Sequence, residues 1–361
     1  MSTVNRIRYL CAILICLGSM AVARAEKIVL VAGEGEGGDG GSAREAKLQM
    51  PFAVDLDRSG NLFLAEYTGQ HVRKIDGKGI LTTLAGTGEK GYGGDDGPAA
   101  RAKFNGIHSL LIAANGDIYI ADTFNKRLRK IDGRTGVIST VAGTGQKGFS
   151  GDSGPATKAE FGDIYCAAFD AKGEKLYLAD LDNRRIRVLN LESGMVETVA
   201  GNGQRGVPRD GAEARNAPLV DPRAVAVDSK GNVYILERGG HALRVVDTEG
   251  KIRTVAGTGK AGFSGDGGDA LRAQFNGPKH LCIDRNDDVL IADTENHVIR
   301  KYLPREGKIV RIAGTGRPGR EGLNGPPLMA GLKQPHGVNA RADGTIYISD
   351  SSNNRILKIE P

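Results

Sequence analysis

The chain has 361 residues, 25% of them charged and 40% apolar, so it is apolar enough to bury a core and is not a disordered tail. Its 49 lysines and arginines exceed 43 acids by only six, and the two signs are interspersed. That balance gives no support for a nucleic-acid or membrane-surface partner.

Residues 1–25 read as an export leader. Arg6 and Arg8 precede an apolar run from Tyr9 to Ala23, and Ala-Arg-Ala (23–25) has small residues at the two positions a signal peptidase requires. The run is short for a membrane span. The expectation is an extracytoplasmic protein, periplasmic or secreted, with no span after leader removal and a mature chain of residues 26–361. Cys11 and Cys16 lie in the leader, which leaves Cys166 and Cys282.

From residue 27 onward the chain repeats. The segments "IVLVAG", "ILTTLAG", "VISTVAG", "MVETVAG", "KIRTVAG" and "KIVRIAG" end at Gly33, Gly86, Gly143, Gly201, Gly257 and Gly314, separated by 53 to 58 residues. Within a period such as 117–143, "DIYIAD" and "KRLRKID" alternate apolar and polar residues around short turns before "VISTVAG" closes the unit. Four strands per period at this spacing mark a β-propeller, and six copies make an all-β ring of six blades. No linker divides it, so residues 26–361 form one domain, expected to be monomeric.

The last repeat stops after three strands, at "NNRILKIE". "KIVLVAG" (27–33) has the fourth-strand pattern and nothing before it that could be strands one to three. The N-terminal strand is therefore expected to pair beside residues 353–359, completing the sixth blade and leaving no open edge. The innermost strands begin at "PFAVDLD", "IHSLLIA", "IYCAAFD", "PRAVAVD", "PKHLCID" and "PHGVNAR", with Cys166 and Cys282 on blades three and five. Blade four stands between those cysteines, so no disulfide is expected.

The turns "ADTFNKRLRKID", "ADTENHVIRKY" and "SDSSNNRILKIE" resemble those of NHL repeats, whose Asn-His-Leu-type turn joins the second and third strands of a blade. Blades one and four depart from the pattern with "AEYTGQHVRKI" and "LERGGHALRVV". The resemblance implies a six-bladed NHL propeller.

Function is sought on the face that carries the inner-strand starts. The residues there, one per blade, are Phe52, His108, Tyr165, Arg223, Lys279 and His336. Such a ring around the channel mouth suits an anionic or carbonyl-bearing ligand, or a metal held by imidazoles; as buried plugs between blades they would have no such role. The main reading is a module that binds a small molecule or a protein. A second follows from resemblance to the peptidyl-α-hydroxyglycine α-amidating lyases, NHL propellers that hold zinc through Pro-His motifs. "IHSL" and "PHGV" match that arrangement at His108 and His336. The resemblance implies zinc on those two residues, with Tyr165 and Arg223 serving a metal-assisted lyase or hydrolase. His280, displaced by one residue, is expected on the opposite strand face.

His71, His241 and His297 lie in or beside the second-to-third-strand turns and read as framework. The glycine-rich loops with Asp95, Asp152 and Asp266 read as turns, not as calcium or phosphate sites. The third-strand cations Arg127, Arg129, Arg185, Arg187, Arg300 and Lys301 are expected to be solvated or weakly paired at the surface.

Overall fold

In the computed structural model, residues 26–360 are described, and the leader assigned to 1–25 lies outside them. The inner strands are Pro51–Leu56, Ile107–Ile112, Ile164–Phe169, Pro222–Val227, His280–Ile283 and Gly337–Ala340, each opening one of six antiparallel sheets. Each inner strand packs against that of the next blade, and the sixth packs back on the first, which closes a ring.

The closure is the one the repeat pattern demands. Lys27–Gly33 runs antiparallel to Arg355–Glu360, from Lys27 opposite Glu360 to Gly33 opposite Arg355, and becomes the outer strand of blade six. The loops between blades then add two-residue strands, Gly97–Pro98, Gly154–Pro155 and Ala212–Glu213, to the outer edges of blades two, three and four. Those edges are thereby covered rather than left to pair with another chain.

Packing follows inner-strand alternation. Ala53, Ser109, Cys166 and Ala224 are small and buried, and larger neighbours such as Val54, Leu110 and Val225 fill the opposite parity. Phe104, Phe161 and Phe275, at the ends of the inter-blade loops, have no exposed surface. Both cysteines are free, and the Cys166 thiol leans on the carbonyl oxygens of Ala167 and Val225 at 3.6 Å.

One expectation fails. Arg129, Arg187 and Arg300 are not solvated; with Arg355, the corresponding residue of blade six, they are among the largest side chains with no exposed surface. Each inter-blade loop folds back over its blade and encloses the guanidinium. Arg300 binds Asp266 at 2.8 Å, Asp293 at 3.4 Å and the carbonyl oxygens of Gln274 and Ser264. Arg129 meets Asp95 at 2.6 Å, and Arg187 meets Asp152 at 2.8 Å. The loop aspartates are thus anchors for buried arginines as well as turn residues. Arg127 and Arg185, half-buried, lie instead on the rings of Tyr92 and Phe149 at 3.8 and 3.6 Å, and Lys301 pairs with Asp284 at 2.8 Å.

Candidate functional site

The mouth residues owe their direction to a backbone irregularity. In blades one to four the pairing of the inner strand skips one residue, and the skipped residues are Phe52, His108, Tyr165 and Arg223. A bulge breaks strict alternation, so these side chains need not follow the core parity of their strands. Lys279 and His336 stand just before the shorter inner strands of blades five and six. Their N–H groups each donate at 3.1 Å to the second strand, at Ala292 and Ser349.

Five of the six form a collar, touching in sequence around the mouth in the order His336, Phe52, His108, Tyr165 and Arg223, and of these Phe52, His108, Arg223 and His336 are buried. The His336 ring stacks on Phe52, centroids 3.8 Å apart and planes 8° apart, and Phe52 stacks in turn on Tyr67 at 4.4 Å and 6°. His108 packs against Phe52, Tyr67 and Tyr165 at 5.2, 5.0 and 4.6 Å. The Arg223 guanidinium lies 4.0 Å from the Tyr165 ring centre. Lys279 pairs at 2.8 Å with Glu295, which also accepts a hydrogen bond from Gln334. Blades six, one, two and three therefore give an aromatic arc, and blades four and five a cationic one.

The surroundings of both imidazoles favour the neutral form. Burial, followed by Arg223 for His108 and by Lys279 and Arg223 for His336, holds them well below the usual histidine value. Nδ1 of His108 lies 2.9 Å from the Gly106 carbonyl oxygen and 3.0 Å from Oγ1 of Thr123, whose own proton goes to the Ile164 carbonyl oxygen at 2.8 Å, and Nδ1 of His336 lies 3.0 Å from the carbonyl oxygen of Gln334. A carbonyl can only accept, so Nδ1 carries the proton and Nε2 keeps a free lone pair. Gly106 itself is constrained: its φ is +73°, and a Cβ there would meet the Phe124 ring at 2.5 Å.

Arg223 is the exceptional member. It is 4% exposed, and its Nε has no hydrogen-bond partner. Apart from the Tyr165 ring it has no hydrogen bond or carboxylate partner among the described residues. Burial lowers its pKa to about 10, which leaves it cationic at neutral pH.

The residues do not fit zinc. Among the described residues no three of His, Cys, Asp and Glu converge as a metal site. His280, the third imidazole near the axis, is turned away, as strand alternation requires. Its Nδ1 accepts from the N–H of Val338 at 3.4 Å, and it lines a channel cavity of about 190 Å³ with Cys282 and Asn339. Of the four remaining mouth positions, Phe52 and Tyr165 are aromatic and Arg223 and Lys279 are cations, which oppose a third.

His241 and His297 are framework, while Nδ1 of His71 has no hydrogen-bond partner and lies 3.5 Å from the Glu66 carboxylate. Nδ1 of His241 accepts from the N–H of Gly277 at 3.3 Å and that of His297 from Gln334 at 3.0 Å, each bond reaching the next blade. Gln70 and Asn354 do the same through side-chain oxygens to Gly106 and Met50.

Comparison with known proteins agrees with this architecture. The teneurin NHL domain family matches residues 19–91 and 156–264, and the NHL repeat family matches residues 275–302. The chain belongs to the NHL-repeat β-propellers. Among curated relatives of this NHL propeller, Protein SUPPRESSOR OF QUENCHING 1 of Arabidopsis thaliana is 27% identical over 78% of the chain and 27% of its own length. NHL repeat-containing protein 2 of Gallus gallus is 27% identical over 73% of the chain and 48% of its own length. The chain thus spans less than half of either relative. Among solved structures, an auxiliary nutrient binding protein from Bacteroides ovatus superposes with a TM-score of 0.67 at 15% identity, covering 93% of this chain and 77% of that one. A streptogramin B lyase superposes at 0.52 and 12%, covering 93% and 98%. At such identities the likeness is one of fold alone.

Sequence reasoning missed Tyr67, Phe124 and Glu295, which the NHL turns bring to the mouth beside the inner-strand residues. A signal was present. Each turn keeps an acid at its start, Glu66, Asp122 or Asp293, and varies just after it, as binding surfaces on a fixed frame do.

Proposed function

We propose that this NHL propeller is an exported binding module that holds a small anionic ligand at the channel mouth, between the aromatic and cationic arcs. Arg223 carries the reading. A buried guanidinium with no carboxylate in contact, its nearby Asp221 being paired with Arg238 at 2.9 Å, is unfavourable in the free protein, and an anion of the ligand supplies the missing contact. The collar is built on bulged strands of a closed scaffold, so the site is pre-organised and little ordering opposes binding. Support for export is the leader pattern of residues 1–25.

The test is a thermal-shift survey of residues 26–361 with small organic anions and cations. Anions raise the melting temperature, cations do not, and Arg223→Met removes the response. Failure of every anion to stabilise the protein would contradict the proposal.

A further inference from the structure

The mouth's hydrogen-bonding inventory narrows the ligand further, on the premise that the mouth is the binding site. On the cationic side, Nε of Arg223 is buried with no hydrogen-bond partner, whereas Lys279 is already engaged by Glu295. On the aromatic side, the Nδ1 contacts of His108 and His336 commit their protons to backbone carbonyls, so Nε2 of each ring is an acceptor. The phenol of Tyr165, whose ring lies between His108 and Arg223, can donate or accept.

Several ligand classes fail against this inventory. Sulfate suits Arg223 but sets bare oxygens against two imidazole lone pairs and has no proton to give them. An unsubstituted carboxylate satisfies the arginine and leaves both imidazoles unmet. An amine could donate to the imidazoles, yet it would face Arg223 and Lys279 with like charge. A flat aromatic ligand finds few free faces, because Phe52 stacks on both His336 and Tyr67, and Tyr165 is covered by Arg223. What remains is a molecule with a carboxylate at one end and hydroxyl donors along its length.

We infer that the mouth takes a hydroxylated carboxylate of the sugar-acid type, its carboxylate on the Arg223 guanidinium and its hydroxyls donating to Nε2 of His108 and His336. Arg223 then serves as the anion anchor and the two histidines as the elements that select for hydroxyls. A site built to pair with a hydroxyl discriminates against an analogue that lacks it, because its own polar atom is left unmatched.

Calorimetric titration of residues 26–361 with four probes separates these roles. D-gluconate has both features, hexanoate only the carboxylate, D-glucitol only the hydroxyls, and sulfate only the charge. Gluconate is expected to bind about tenfold or more tightly than hexanoate, the margin of one charged or well-matched hydrogen bond, with glucitol and sulfate weaker still. Arg223→Met abolishes gluconate binding. Arg223→Lys, which keeps the charge and loses the planar fork, leaves an intermediate affinity and shows that the loss is not one of folding. His108→Phe keeps a ring in the collar, removes one of the two acceptors, and lowers gluconate towards the affinity of hexanoate. Hexanoate or sulfate equal to gluconate, with both dependent on Arg223, would overturn the ligand class and leave the anion site standing. No binding of any probe, or binding indifferent to Arg223→Met, would overturn both.

Discussion

Arg223 concentrates the chemistry of the mouth in one side chain, and its isolation has a stability consequence. Removing an unpaired buried charge relieves its desolvation, so Arg223→Met should stabilise the unliganded protein by about 1–2 kcal/mol in chemical denaturation, even as it loses ligand. A destabilised variant would mean that the guanidinium has a structural partner. His280 gives a second test at this scale. Burial, then Arg223, lowers its pKa to about 4, from an ordinary value near 6.5. The unfolded chain therefore takes up the proton first, and stability falls as pH drops from about 6.5 towards 4. Buried Asp122 and Asp293, raised to about 6, act with the opposite sign in an overlapping window, so the effect is read as a difference between proteins. The advantage of the native chain over His280→Gln should shrink by roughly 1–2 kcal/mol across that range, after allowance for screening by channel water. A constant difference would contradict a neutral, half-buried imidazole. The six mouth positions were legible because each repeat varies at one fixed place after the inner strand begins. That Arg223 lacks a partner was not legible, since no pattern reveals the absence of an acid in space.

At the scale of the blade, the third-strand arginines tie inter-blade loops to the sheets they cover. Asp95 and Arg129 stand 34 residues apart, and the loop between them must turn over the blade before they meet. Sequence displays the recurrence of both residues but not that fold-back, which is why the arginines read as surface charges. The distinction has a measurable size. Arg300→Ala strands Asp266 and Asp293 and should cost about 3–5 kcal/mol, as breaking a buried pair does. Lys47→Ala, at an ion pair whose side chains are 61% and 83% exposed, should cost no more than about 1 kcal/mol. Equal costs would place the arginine outside the core. The NHL turns were easier to read, because Asp122 and Asn125 are local: Asn125 donates to the Asp122 carboxylate at 2.9 Å. Blades one and four keep the turn despite their altered residues. Gln70 and His241 adopt the same left-handed conformation as Lys126, at φ 56°, 46° and 54°.

For the whole molecule, the period of the closing glycines and the missing last strand defined the ring before any coordinate did. What they could not define was the mouth's asymmetry, since repetition predicts six equivalent blades and the collar is aromatic on one side and cationic on the other. That asymmetry depends on the circle being shut, because His336 of the last blade stacks on Phe52 of the first. Lys27–Gly33 is the strand that completes blade six. The most direct measurement is therefore the hydrodynamic state of a chain beginning at residue 34, compared with residues 26–361 by size-exclusion chromatography with light scattering. The closed ring predicts that the longer chain is a monomer, while the shorter one, with the third strand of blade six exposed, aggregates or is recovered only as oligomers. A shortened chain that remains a monomer with an unchanged melting temperature would contradict closure by the N-terminal strand.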